Sequence, residues 1–69
     1  MITFDLTAEY IELIKLLKVT RIAENGGMAK SLVEEGKVKR NGMPEFRKRA
    51  KIRKGETITV GDLEIRINP

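Results

Sequence analysis

AENGGMAKSLVEEGKVKRNG, residues 23–42, contains the signals for one complete helix and for the turn that follows it. Three apolar residues at helical spacing predict the buried face of this helix: Ala29, Leu32 and Val33. We expect the helix over about residues 27–35. Asn25 offers a capping side chain before it, and Gly36 follows at the C′ position, where a left-handed conformation costs glycine little. The stretch therefore predicts a short helix with both ends marked.

Beyond this helix the sequence changes from helical to alternating spacing. Lys37–Arg40 predicts a strand, and Asn41-Gly42 predicts a tight hairpin turn of the primed type. Met43-Pro44 continues the chain as an edge strand or an irregular arm, because proline lacks the amide hydrogen that a central strand donates. Alternation over residues 57–60 and 63–67 then predicts a second hairpin.

The residues at the start of the chain predict a short strand and one more helix. Ile2 and Phe4 lie two residues apart, which indicates a strand. An apolar stripe predicts a helix at about residues 8–18, with Thr7 as its N-cap. The stripe consists of Tyr10, Leu13, Ile14 and Leu17. The predicted fold class is α+β, with two short helices packed on a small, mostly antiparallel β-sheet, in a single domain over residues 1–69.

The composition limits the possible functions. The chain has 69 residues, 41% of them apolar, and neither cysteine nor histidine. This length leaves room for one domain with a thin core, and no apolar run approaches the roughly 18 residues of a membrane span. We predict no metal site, no cofactor and no catalytic residue. Without a disulfide or an export signal, we expect a cytoplasmic protein, and we expect it to be a monomer.

The positive charge is concentrated in one part of the chain. Residues 37–54 hold nine Lys or Arg and one acid, Glu45, whereas the remaining positions hold five basic and nine acidic residues. A charge that served solubility alone would be mixed over the surface. The segregation therefore favours a polyanionic partner. Six of the cations lie in the ten residues FRKRAKIRKG, 46–55, where Ile52 is the one predicted core anchor.

Two further groups of residues are candidate phosphate contacts. Lys37 and Lys39 flank Val38, and alternation along the strand places Val38 in the core and both lysines on the open face. Gly26-Gly27 either exposes amide hydrogens to an anion at the helix start or only turns the chain between the two helices. Lys30, one turn into the helix, either lies near the same anion or is an ordinary solvent-exposed lysine.

The order of these features resembles the alpha-L RNA-binding domain, a family named for the fourth protein of the small ribosomal subunit. The shared elements are the alanine and leucine of the second helix, its closing glycine and a strand that ends in Asn-Gly, all within residues 23–42. EFRKRAKI, residues 45–52, followed by Lys54-Gly55, is most similar to the small stand-alone bacterial members. The residue before Asn-Gly is often valine in the family, whereas this chain has Arg40.

The resemblance implies a non-catalytic protein that binds structured RNA, with ribosomal RNA as the expected target. By position, it implies RNA contacts at Gly26, Gly27, Lys30, Lys37, Lys39, Arg47, Lys48, Arg49 and Lys51. The cations among them would dock a basic face on the phosphate backbone. Of the three aromatic residues, only Phe46 lies among the cations in the sequence. We therefore expect recognition of backbone geometry with few base contacts.

The same residues are also compatible with other functions. The main alternative is a protein-interaction module whose basic face binds an acidic protein partner. DNA binding is a weaker alternative, because the second helix offers only Lys30 and Ser31 to read bases. Membrane attachment ranks lowest, because the cations lie in strands and loops rather than on an amphipathic helix. Arg21 either joins the basic face or pairs with Glu24.

Overall fold

The structure, a computed structural model, describes residues 1–69 and contains two helices and seven strands. In chain order they are β1 Ile2–Phe4, β2 Ile11–Glu12, α1 Leu13–Val19, α2 Gly26–Glu34, β3 Val38–Arg40, β4 Met43–Pro44, β5 Lys51–Ile52, β6 Thr57–Val60 and β7 Leu63–Ile67. Neither helix combines the length and the apolar character that crossing a membrane requires.

The strands form two sheets. The larger has five strands in the order β1-β7-β6-β3-β4, and the smaller pairs β2 with β5. Only β1 and β7 run parallel, and all other pairs are antiparallel. β4, which contains the proline, lies at an edge, as its sequence predicts. The predicted α+β fold class, with two helices and a mostly antiparallel sheet, is confirmed.

Helix α2 and the turn after β3 match their prediction closely. The Asn25 side-chain oxygen accepts a hydrogen bond of 2.8 Å from the Met28 amide and so caps the helix. Gly36 has a φ of +74° just after the helix, in the left-handed region that glycine tolerates. Asn41 and Gly42 both have positive φ, as the two central residues of a primed turn require. Local signals were sufficient here because each feature depends on residues close in sequence.

The prediction for the first helix is wrong at its start. The sequence indicates a helix from about residue 8 with Thr7 as its cap, but α1 begins at Leu13. Residues 8 and 9 form a bend, and residues 11 and 12 are extended because Ile11 pairs with Ile52 and Glu12 pairs with Lys51. The long-range pairing therefore occupies the two residues directly before α1, which the prediction places in the helix.

The first amides of α1 find partners in residues 46–54, the basic segment. The Leu13 amide donates to the Ala50 carbonyl at 2.9 Å, and the Ile14 amide donates to the Lys48 carbonyl at 3.1 Å. These amides have no partner within the helix itself. No side chain caps α1, so the backbone of a distant loop performs that role.

The core lies between the helices and the sheet and contains 13 buried apolar residues. Leu13, Leu16 and Leu17 of α1 contribute fully buried side chains. Val38 and Ile52 are also fully buried, which confirms both as predicted core positions. Because Ile52 lies near the C-terminal end of the basic segment and is buried, it anchors that end to the core.

Candidate nucleic-acid interface

The basic segment, defined as residues 46–54, has a fixed backbone. Its carbonyls at Lys48 and Ala50 bind the start of α1, and Ala50 and Ile52 are buried. The sequence shows a run of cations, but two apolar residues within this run, Ala50 and Ile52, pack into the core. The cationic side chains therefore project from a held backbone and not from a free loop.

Arg40 lies at the centre of a network of ion pairs beneath this segment. Its Nε donates to Glu56 Oε1 at 2.7 Å, and its Nη2 donates to Glu56 Oε2 at 3.0 Å. The same Nη2 donates to the Lys51 carbonyl at 2.8 Å. Nη1 reaches Glu45 Oε1 at 3.3 Å. One guanidinium thus links β3 to the basic segment and to both nearby carboxylates.

Glu45, the only acid in the basic part of the sequence, is buried and holds Arg47. Its Oε2 accepts from the Arg47 amide and from the Arg47 Nε, both at 3.1 Å. Hydrogen bonds from Arg47 and Arg40 outweigh the effect of burial and lower the pKa of Glu45 to about 2. Burial disfavours the charged form of Glu56, but hydrogen bonds from Arg40 and from the Arg53 amide outweigh it and lower the pKa of Glu56 as well.

Three of the predicted contact residues line one depression on the surface. It has a volume of about 470 Å³, and its lining consists of Arg40, Arg47, Arg49, Ala50, Lys51 and Arg53. We call it the arginine depression. Five of its six lining residues are cationic. Arg40 pairs with Glu45 and Glu56 and Arg47 pairs with Glu45, so Arg49, Lys51 and Arg53 are the lining cations without an acidic partner. Arg47, Arg49, Lys51 and Arg53 are exposed, whereas Arg40 is half-buried at 21% side-chain exposure.

The other predicted residues lie elsewhere. Lys37 and Lys39 line a second depression of about 500 Å³ together with Gly36, Thr59, Val60 and Gly61. Gly26, Gly27 and Lys30 of α2 and Lys48 line neither depression. Of the nine predicted residues, three thus line the arginine depression, two line the second depression, three lie in α2, and Lys48 pairs with Glu34 of α2. Arg21 forms no ion pair with Glu24 and lines neither depression.

Some of the predicted cations have acidic partners. Lys48 Nζ lies 3.1 Å from Glu34 Oε2, and Lys37 Nζ lies 3.1 Å from a Glu35 oxygen. Both pairs are exposed to solvent, where an ion pair contributes little and opens readily. Lys30, Lys39, Arg49 and Lys51 take part in no ion pair. They are the predicted cations whose charge is fully available.

Tyr10 is a residue of this surface that the sequence analysis missed. Its ring centroid lies 5.0 Å from Lys51 Nζ and 5.8 Å from Arg53 Cζ. The apolar spacing predicts Tyr10 on the buried face of a helix, but its exposure is 37%. No local signal shows this, because 41 positions separate Tyr10 from Lys51 in the sequence. Only the pairing of β2 with β5 brings them together.

The model of the S4 domain matches residues 4–68, nearly the whole chain. The chain belongs to the S4 domain family. This confirms the resemblance that the helix, its closing glycine and the Asn-Gly turn indicate.

Two relatives of this S4 domain are similar over almost their full length. "Putative RNA-binding protein YbcJ" of Escherichia coli (strain K12) is 38% identical over 68 residues, which is 97% of each chain. "Uncharacterized protein YbcJ" of Shigella flexneri has the same identity and coverage. The solution structure of E. coli YbcJ, described as revealing an alpha-L motif involved in RNA binding, has a TM-score of 0.77 and 37% identity. It covers 100% of this chain and 89% of the other.

Phe46, the aromatic residue that the sequence places among the cations, is also exposed in this S4 domain. Its exposure is 61%, so it is not a core anchor. A Cβ atom at Gly36 would lie 3.1 Å from Phe46 Cε1, which shows that the ring lies directly over the C′ position of α2. Phe46 therefore packs on the end of α2, against Gly36, which lines the second depression.

Proposed function

We propose that this S4 domain binds structured RNA by docking the arginine depression on the phosphate backbone. Family membership and the described role of the YbcJ motif support RNA as the ligand. The observation that carries the proposal is the arrangement of five cationic residues around one depression, three of which have no acidic partner. Cations in such an arrangement displace the counterions condensed on a polynucleotide, which favours binding entropically.

The fixed backbone of the basic segment supports this mode of binding. Glu45 holds Arg47 by its amide and its guanidinium, and Arg40 holds the carbonyl of Lys51. A ligand then loses less affinity to ordering of the loop when it binds. Arginine also presents two parallel donors to one phosphate group, which lysine does not. Arg49 and Arg53, which form no ion pair, are the strongest candidates for such a contact.

The remaining predictions complete the proposal. Ribosomal RNA is the proposed target class, by analogy with the protein for which the family is named. Lys37 and Lys39 in the second depression, Lys48, and Gly26, Gly27 and Lys30 on α2 stay predicted contacts. The absence of catalysis, the monomeric state, the organisation as a single domain and the cytoplasmic location also stay predictions.

A titration series tests the proposal. Fluorescence anisotropy would measure binding to a labelled RNA hairpin, to duplex DNA of equal length and to an acidic protein domain. With five or six phosphates neutralised, the logarithm of the RNA affinity should fall with the logarithm of salt concentration at a slope of about −4 to −5. A flat slope, or equal affinity for duplex DNA, would contradict the proposal. Tighter binding to the acidic protein than to RNA would favour the protein-interaction alternative.

A matched pair of variants separates the site from net charge. Arg49→Ala with Lys51→Ala removes two unpaired cations at the depression. Lys18→Ala with Arg66→Ala removes two exposed cations that line no depression and form no ion pair. The first pair should weaken RNA binding at least tenfold and reduce the salt slope by about 2. The second pair should change the affinity by less than about threefold.

A further inference from the structure

Tyr10 lies beside the arginine depression, because two of the residues that line the depression are also neighbours of its ring. Lys51 and Arg53 line the depression, and both also lie within 6 Å of the Tyr10 ring, at 5.0 and 5.8 Å. An exposed aromatic ring is therefore adjacent to two of the cations that line the depression. The sequence by itself predicts few base contacts and does not place Tyr10 on the basic surface.

The pairing of β2 with β5 determines this arrangement. Ile11 lies opposite Ile52, and both contact the core. Side chains alternate along each strand, so the neighbours of this pair, which include Glu12 opposite Lys51, project to the opposite face. Glu9 and Glu12 also line a shallow depression together with Tyr10. Continuing the antiparallel register by one residue places Tyr10 opposite Arg53. The ring and its cations are thus fixed by backbone pairing and by a buried isoleucine.

A nucleotide combines the two chemical features that this arrangement complements. Its phosphate is an anion, and its base has a flat π-face that stacks on aromatic side chains. Inside a duplex both faces of a base are covered by its neighbours. Only an unpaired or terminal base is free to stack on a protein ring.

We propose that Tyr10, Lys51 and Arg53 bind one unpaired nucleotide of the RNA, with its base stacked on Tyr10 and its phosphate in the arginine depression. This inference rests on the proposed function and adds a ligand specificity to it. The preferred RNA is a helix that carries an unpaired nucleotide beside the phosphates that the depression binds. A single ring binds a single base, so the preference is for the presence of an unpaired base and not for a long single strand.

Two RNA hairpins with the same loop and the same end test the inference, one with a fully paired stem and one with a single unpaired nucleotide added to the stem. A third hairpin replaces that nucleotide with an abasic one, which keeps the phosphate and removes the base. The wild-type protein should bind the unpaired hairpin about tenfold more tightly than the other two. Tyr10→Leu should abolish this preference and leave the affinity for the paired hairpin within about twofold. Tyr10→Phe, which keeps the ring, should retain the preference.

Intrinsic fluorescence gives an independent readout. Tyr10 is the only tyrosine, and the chain has no tryptophan, so all tyrosine emission reports on this ring. We expect the unpaired hairpin to quench the emission more strongly than the abasic hairpin at equal saturation. Val19→Ala, a change at an exposed apolar residue at the end of α1, is the control and should leave both quenching and preference unchanged.

Two outcomes would overturn the inference while leaving RNA binding intact. Equal weakening of all three hairpins by Tyr10→Leu would show that the ring only positions Lys51 and Arg53. Equal wild-type affinity for the unpaired and abasic hairpins would show that no base is bound, and this comparison needs no variant. If the wild-type protein binds none of the hairpins, the proposed function itself is wrong.

Discussion

Arg40 and Glu56 form a two-point ion pair across β3 and the start of β6, with Nε–Oε1 and Nη2–Oε2 distances of 2.7 and 3.0 Å. Sixteen positions separate the two residues in the sequence. The Glu56 carboxylate also accepts from the Arg53 amide and from the Asn41 side chain. The pair therefore joins the Asn41-Gly42 turn to the end of the basic segment.

Replacement of Arg40 should destabilise the protein. Arg40→Ala leaves the Glu56 and Glu45 carboxylates without a shared partner, and we expect a loss of about 2 kcal/mol in the free energy of unfolding. Arg40→Lys keeps the charge but not the two-point geometry, and it should lose about 1 kcal/mol. Urea denaturation followed by circular dichroism would measure both. Arg66→Ala, at an exposed arginine without an ion pair, is the control, and a loss as large as that for Arg40→Ala would contradict the proposed role.

The protein should lose stability in acid. The folded-state pKa of Glu45 is about 2, below its ordinary value of 4.5, and that of Glu56 is also lowered. The stability from these carboxylates is complete above about pH 4.5, and it is lost as the pH falls toward about 2, since the unfolded chain takes up protons first. We expect Glu45 to account for about 1 kcal/mol of this loss, because the network is open to solvent on one side.

Glu45→Gln is the matched variant for the acid experiment, because glutamine does not titrate. It should be less stable than the wild type at pH 7, and the difference should shrink as the pH falls to 2. Urea midpoints at a series of pH values would measure both curves. A difference that stays constant with pH would show that the charge of Glu45 does not contribute.

The exposed pair between Glu34 and Lys48 should weaken RNA binding. Glu34→Gln removes a negative charge and frees the Lys48 ammonium, which lies 3.1 Å from the carboxylate. We expect RNA affinity to rise about two- to threefold at low salt, and the gain to vanish at high salt, where exposed charges are screened. Asp62→Asn makes the same change in net charge at an exposed acid without an ion pair. An equal gain in Asp62→Asn would mean that net charge alone explains the effect.

Gly36 should be less tolerant of substitution than Gly55. Both have positive φ, +74° and +86°, so alanine is strained at either position by about 1 kcal/mol. Only at Gly36 would the added Cβ also meet Phe46, at 3.1 Å, whereas Gly55 faces open space. Gly36→Ala should therefore lower the urea midpoint more than Gly55→Ala. In a Phe46→Ala background the two substitutions should become equal, and a persistent difference would contradict a steric cause.

The sequence was sufficient for elements whose signals lie within a few residues. The helix α2, its Asn25 cap and Gly36 end, and the Asn41-Gly42 turn each depend on neighbours in the chain. The hairpin of β6 and β7 follows in the same way from alternation on both arms. The concentration of charge in residues 37–54 is likewise a property of the sequence.

Tertiary structure alone determined where α1 begins and which residues surround the cations. A stripe of apolar residues is compatible with a helix from residue 8, but pairing with Ile52 extends residues 11 and 12 and brings Tyr10 to Lys51. Glu45, one acid among nine cations in the sequence, becomes the buried partner that holds Arg47. The physical reason is that spacing and propensity act between near neighbours, whereas strand pairing and the partners of a buried charge depend on residues that only the folded chain brings into contact.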